Sequence, residues 1–274
     1  MTGDDAIPTD VSLFTVLGGD RYVATDWSRG PWNPEHCHGA PPSALLVRAV
    51  EGVGPDPERW ALARITIELT RPVPVGRELA LSTHVIRPGG RVSLVGAALT
   101  DAASGVDVAH ATALRIAIRD IDAPESAIPR SALPGGPEEG RAETPPFRTD
   151  DIAYATHACD FRFVTGSWAE RGPAAVWIRL RVPIVPGESP TGAQRVAAAA
   201  DFGNGVSAPV DHLDWLYINP DLTIHLARPP LGEWIGLSSI SHFGTAGAGL
   251  AESVLHDGAG RLGISAQSLF VERR

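Results

Sequence analysis

Two segments of the chain alternate apolar and polar residues in matching fashion. Residues 64–72 read RITIELTRP and residues 221–229 read DLTIHLARP. In the first, Ile65, Ile67 and Leu69 share one side, and Thr66, Glu68 and Thr70 share the other. Leu222, Ile224 and Leu226 repeat the apolar side. A period of two predicts strands with one buried face. Five of the nine positions are identical, namely Thr66/Thr223, Ile67/Ile224, Leu69/Leu226, Arg71/Arg228 and Pro72/Pro229. The match keeps its register further on: Gly76 and Glu78 answer to Gly232 and Glu233, and Asp101 and Gly105 to Asp257 and Gly260, always 155 to 157 residues apart. A repeat held over forty residues indicates two copies of one structural unit.

Each copy also predicts a helix ahead of its strand. Pro41 and Pro42 suit a first helical turn, Ala44–Val50 is an apolar run, and Gly52 and Gly54 end it. Ala193–Phe202 is the second helix, rich in alanine and followed by Gly203. Further strands are punctuated by PGG at 88–90, DAASG at 101–105 and HDGAG at 256–260. Between the copies lies 121–147, with six prolines and little periodic pattern. The expected organisation is an N-terminal unit over 1–120, a Pro-rich linker over 121–147 and a C-terminal unit over 148–274. A helix buried on one face of an antiparallel sheet is the expected architecture of each unit.

Composition narrows the chemistry. The chain has 274 residues, is 43% hydrophobic and carries a net charge of -9, so nucleic acid and a basic membrane-surface mode are poor partners. All 23 basic residues are arginine. With no lysine there is no Schiff-base lysine, P-loop lysine or Ser–Lys dyad. Cys37 and Cys159 form no CxxC pair. The opening MTGDDAIPTD lacks the regions of a signal peptide, and no apolar run approaches a membrane span. A soluble cytoplasmic protein with reduced thiols is therefore expected.

Several segments, taken in order, carry a family likeness: GPWNPEHCHGAPPSALLVRAVE (30–51), ELTRPVPVGREL (68–79), ADFGNG (200–205), INPDLTIHLARPPLGEWIGL (218–237) and AQSLFVERR (266–274). Together they resemble the type II acyl-CoA thioesterase family, over both halves but not the linker. The resemblance implies an α+β double hot-dog: two tandem repeats, each a curved antiparallel sheet wrapped around a central helix. It implies hydrolysis of acyl-CoA to free acid and coenzyme A, with no redox cofactor and no metal. In that family an Asp, a Thr or Asn, and a Gln hold the hydrolytic water in the C-terminal half. The matching positions are Asp201 at the end of the second helix, Asn219 nine residues before the Arg-Pro pair, and Gln267 on the last strand. Family members with Thr in the middle position exist, and this chain departs from them. Asn donates and accepts hydrogen bonds but has no hydroxyl.

The chemistry fits these residue types. Thioester hydrolysis needs a placed water whose proton is accepted as it attacks, which a carboxylate within hydrogen-bond reach can do. Amide side chains orient that water. A helix start near Gly39 or Gly192 would supply N–H groups for the developing oxyanion. By the repeat offset Leu62 stands opposite Asn219 and Thr112 opposite Gln267, so one working site per chain is expected. Hot-dog proteins usually pair their sheets, which implies a homo-oligomer.

Other residues admit structural readings. Arg71 and Arg228 end equivalent strands; a repeated salt bridge is expected, with a grip on coenzyme A phosphates as the alternative. His36, Cys37 and His38 invite a metal or a thiol nucleophile, but neighbours on an extended segment point opposite ways. Trp32 could line an acyl tunnel. Gly244, Gly247 and Gly249 do not have nucleotide-loop spacing and fit close approach in a curved sheet. Two rival functions stand. One is a non-catalytic acyl-CoA or lipid binder. The other is an enoyl-CoA hydratase-like enzyme, whose GDxNPxH segment GPWNPEH resembles; Pro31 takes the place of its Asp and cannot act as a base.

Overall fold

The computed structural model describes residues 10–124, 127, 131–146 and 151–274. The first half runs β1 (Phe14–Gly18), β2 (Arg21–Ala24), α1 (Ala40–Glu51), β3 (Trp60–Glu68), β4 (Glu78–Arg87), β5 (Val92–Asp101) and β6 (Val106–Ala117). The second runs β7 (Arg141–Ala142), β8 (Cys159–Thr165), β9 (Ala174–Leu180), α2 (Gly192–Ala200), α3 (Gly203–Val206), β10 (Trp215–Ile218), β11 (Asp221–Leu226), β12 (Trp234–Phe243), β13 (Ala248–Asp257) and β14 (Gly260–Arg273). Both long helices and the three punctuated turns lie where the sequence pattern puts them.

All strands join one large antiparallel sheet, in the order β1-β2-β4-β5-β6-β3-β11-β14-β13-β12-β9-β8-β7, with β10 also on β14. The halves meet where β3 pairs β11. There Thr66 faces Thr223, Ile65 faces Ile224 and Ile67 faces Leu222. Repeat-equivalent Thr66 and Thr223 thus sit opposite one another, as a local two-fold axis requires, and their hydroxyls are 3.3 Å apart. Ile65, Ile67, Leu222 and Ile224 point to the core, so the alternation read from the sequence is the inward face of this seam.

The register corrects one expectation. Thr66 faces Thr112 on β6, and Thr223 faces Ala266 on β14. Thr112 therefore answers to Ala266, and the residue in the place of Gln267 is Ala113, one step from the expected Thr112. The count shifts at the β5–β6 turn, where Asp101 pairs with Val106 across four residues, against two between the paired Asp257 and Gly260. The first half still has no amide at that position.

The two helices pack side by side and run opposite ways. α1 buries Ala44, Leu45, Leu46, Val47 and Val50. Its C-terminal carbonyls are capped from the sheet, because Arg115 Nη1 donates to Val50 O at 3.0 Å and Val53 O at 2.8 Å. α2 opens with a capping box in which Thr191 accepts from the Gln194 N–H and the Gln194 side chain accepts from the Thr191 N–H. That box also meets the last residue of α1: Glu51 accepts from Thr191 Oγ1 at 2.9 Å and from Gln194 Nε2 at 2.8 Å. The other end of the pair joins the start of α1 to the end of α2, and the site lies there.

Within 121–147 part of the segment is ordered against the second half. Arg141 and Ala142 pair with β8, and Leu133 is buried with Ala175 and Trp177. Phe147 lies outside the described residues. No helix among the described residues is long and apolar enough to cross a membrane.

Candidate active site

Asp201 is the C-cap of α2, and its carboxylate is 2% exposed. Helix ends are costly places to bury an acid, since carbonyls converge there. Side-chain donors from other elements offset that cost. Asn219 Nδ2 donates to Asp201 Oδ1 at 2.7 Å and to Asp221 O at 3.2 Å. Gln267 Nε2 donates to the Asp201 main-chain carbonyl at 3.1 Å and to Oδ1 at 3.3 Å. The amide of Gln267 is oriented by Asn204, whose N–H donates to Oε1 at 3.0 Å. The three residues expected from the sequence are thus brought together, from α2, the turn before β11, and β14.

A fourth residue comes from the first half. His38 Nδ1 lies 2.9 Å from Asp201 Oδ2. Its ring is packed against Phe202 at 4.7 Å and Tyr154 at 5.2 Å, centroid to centroid. Tyr154 is itself tied down by its hydroxyl, which donates to Ala198 O at 2.7 Å. The same Nδ1 lies 3.2 Å from the Ala40 N–H. One ring nitrogen cannot donate to the carboxylate and accept from Ala40 at once. With the proton on Nδ1, His38 bonds Asp201 and the Ala40 N–H is left for another acceptor.

That N–H opens α1. Pro41 and Pro42 follow and have none, so Gly39 and Ala40 carry the available donors ahead of Ser43. Of the two helix starts considered, the one at Gly39 adjoins Asp201. The one at Gly192 is at the far end of the helix pair, closed by its capping box and Glu51. Gly39 has φ of −64°, which any residue adopts. It is glycine for space: a Cβ there would meet the Asp201 oxygens at 2.8 and 3.0 Å and Leu69 at 2.9 Å.

His38, Gly39, Asp201 and Asn219 line one cavity of about 330 Å³. Its apolar wall includes Pro31, Trp32, Leu69, Val73, Trp168 and Tyr217. Asp201 is the single carboxylate lining it among the described residues. Cys37 also lines it, but burial pushes that thiol well up, and Cys159 likewise, so neither is poised as a thiolate. Among the described residues no group of three or more His, Cys, Asp or Glu could hold a metal.

The paired arginines diverge. Arg228 makes the expected salt bridge, to Asp257. Arg71 does not; it is exposed and lines the cavity. The glycine expectation holds at Gly249, where a Cβ would meet His242 O at 2.9 Å. His38 was in view in the sequence, within the His36–His38 run, but its partner lies in the other repeat and no local spacing signals it.

A large antiparallel sheet covering two helices is an architecture of the hot-dog type, and the buried, amide-held carboxylate lies at the start of one of those helices. Family models agree: the N-terminal domain of acyl-CoA thioesterases matches residues 28–116 and the C-terminal domain matches 130–271. The chain belongs to the acyl-CoA thioesterase family, whose members hydrolyse thioesters. Solved structures share the fold. A candidate thioesterase from Novosphingobium aromaticivorans is 21% identical, with a TM-score of 0.71 over 94% of this chain and 98% of that one. A hot-dog protein of unknown function from Alicyclobacillus acidocaldarius is 14% identical, with a TM-score of 0.71 over 94% and 95%. An acyl-CoA thioesterase II from Mycobacterium marinum is 16% identical, with a TM-score of 0.65 over 95% of each chain. No curated protein matches the chain.

Proposed function

We propose that the protein hydrolyses an acyl-CoA thioester by direct attack of water, with Asp201 as general base and Asn219, Gln267 and His38 fixing its carboxylate. Asp201 Oδ2 has one side-chain partner, so it keeps lone-pair capacity for a water in the cavity. Both Asn219 N–H donors are used, which leaves its amide oxygen to accept from the same water. The water passes a proton to Asp201 as its oxygen bonds to the carbonyl carbon. Charge on the carbonyl oxygen is met by the N–H groups of Gly39 and Ala40 at the start of α1. Collapse breaks the carbon–sulfur bond, and Asp201 returns the proton to the sulfur. The products are a free acid and coenzyme A, and no covalent enzyme intermediate forms.

The observation that carries this reading is the Asp201 carboxylate itself: nearly buried, held by three side chains, and open to an apolar cavity. A volume of about 330 Å³ is at the small end of ligand sites. It favours a short or ring-shaped acyl group. The test is free-thiol release from a panel of acyl-CoAs with wild type and Asp201→Asn. Turnover by wild type with a loss of about 10²- to 10⁴-fold in the variant supports the assignment. Tight acyl-CoA binding with no thiol release would replace it by the non-catalytic binder.

The repeat, the two-fold seam and the helix pair support a double hot-dog, with units 1–120 and 148–274 joined by 121–147. A second copy of the chain is the proposed partner of the sheet's outer face. Ile240, Leu250, Ile264 and Phe270 all point outward there from β12, β13 and β14 and are exposed. Light scattering on wild type and Phe270→Glu checks this: a wild-type monomer would end the proposal.

A further inference from the structure

Arg71 and Arg228 occupy the same place in the two repeats, and so do Asp101 and Asp257. Their pairings differ. Arg228 holds Asp257 with both terminal nitrogens at 2.6 Å, and the N–H groups of Leu231 and Ala259 complete that carboxylate. Asp101 keeps the matching turn contact, from the Ala103 N–H at 3.1 Å. Its guanidinium, however, comes from Arg77 at 2.5 Å. The strand register, with Leu79 facing Asp101 and Gly236 facing His256, puts Glu233 in the place of Arg77, one step from the Glu78 of the sequence match. Arg77 therefore replaces Arg71 at the acid.

Arg71 is released by this exchange. It has no ion pair and no side-chain hydrogen bond among the described residues. It lines the cavity that holds Asp201 and is the single arginine to do so among the described residues. Its main chain is fixed, because its N–H donates to Val108 O at 3.2 Å and Thr70 Oγ1 donates to Asp107 O at 3.0 Å. Outside the lining, the Arg274 guanidinium lies over Trp32, itself a lining residue, at 5.3 Å. In a chain of net charge -9, Arg71 is the one guanidinium in the cavity wall among the described residues. An unpaired guanidinium presents parallel N–H donors suited to phosphate oxygens.

We infer that Arg71 is the phosphate-recognition residue of the site, binding a phosphate group of the thiol carrier while the thioester sits at Asp201. The chemistry is shared by the diphosphate of coenzyme A and the phosphodiester of a carrier protein's pantetheine arm. The inference rests on the hydrolase reading for its substrate, but its test does not depend on turnover.

Calorimetric titration of wild type, Arg71→Gln and Arg71→Lys with coenzyme A and with pantetheine reads the site directly. Arg71→Gln should weaken coenzyme A about tenfold, the worth of one charge-assisted contact, and leave pantetheine unchanged. Arg71→Lys should recover part of the loss. In turnover, KM for an acyl-CoA should rise about tenfold with kcat within about twofold. The same acyl group on N-acetylcysteamine, which has no phosphate, should show no KM change. A KM that moves only with an acyl-carrier protein would assign the phosphodiester instead. Unchanged coenzyme A affinity together with unchanged KM on both carriers overturns the inference, as does an equal rise with the N-acetylcysteamine thioester. Arg71-dependent coenzyme A binding without thiol release would remove the hydrolase reading and leave this one standing.

Discussion

His38 Nδ1 and Asp201 Oδ2 are 2.9 Å apart, and the contact joins the start of α1 to the end of α2 across the two repeats. The buried carboxylate cannot be held by the second repeat alone, since Asn219 and Gln267 both address the Oδ1 side. His38→Leu keeps volume between Tyr154 and Phe202 but removes the donor. It should lower kcat by about 10- to 100-fold, the range for losing a hydrogen bond to a charged group, with a smaller effect on KM. His38→Gln should restore part of the rate. An unchanged kcat in His38→Leu would reduce His38 to packing.

Gly39 is pressed against the same carboxylate. Its backbone conformation is ordinary for any residue, so Gly39→Ala adds crowding and no strain. The new methyl would sit within 3.0 Å of both Asp201 oxygens. The site must shift by a few tenths of an ångström, and misplaced catalytic groups lose rate steeply. We expect a fall in kcat of about 10- to 100-fold, with the melting temperature within a few degrees of wild type. Full activity in this variant would mean that Asp201 is not placed tightly.

Gln267 is expected to affect activity and stability together. It is 1% exposed and satisfies the Asn204 N–H and the Asp201 carbonyl together. Gln267→Leu strands both groups in the interior, at a cost of about 1–3 kcal/mol each in an unrelaxed site. Denaturant unfolding should show the loss, and activity should fall in parallel. A variant that is inactive yet as stable as wild type would argue that water fills the gap.

The sheet was legible because its information is local. Alternation at 65–69 and 222–226 requires only neighbouring residues, and the 157-residue offset of Thr66 and Thr223 is the two-fold seam itself. Turn glycines and the proline-led helix are local too. What escaped depends on long-range packing. His38 and Asp201 meet only when α1 and α2 lie antiparallel. A β5–β6 turn two residues longer than the β13–β14 turn put Ala113, and not Thr112, in the place of Gln267. The symmetric salt bridge failed at Arg71 because a side chain six residues on, Arg77, reaches the same acid. Repeats preserve the frame, and single substitutions decide which copy carries the chemistry.

The opposite end of the helix pair makes stability depend on pH. Burial pushes the Glu51 carboxyl above its usual range, although bonds from Gln194 and Thr191 work the other way. Arg48, held by Glu188 at 2.6 and 2.7 Å, and Glu58 line the same cleft. A carboxyl whose folded pKa is raised contributes stability that is complete below the unfolded value, near 4.3 on average. That contribution is lost as pH rises through the folded value, because ionising the buried group costs more than ionising it in the open chain. Glu51→Gln stays neutral throughout and keeps an oxygen for the Gln194 amide. The melting temperature of the variant relative to wild type should therefore climb between pH 4 and pH 7. The comparison is a difference between two chains sharing every other titrating group, so the slope belongs to Glu51. A flat difference, or one that falls with pH, would show that Glu51 is ionised in the folded protein without penalty and that its bonds to α2 outweigh its burial.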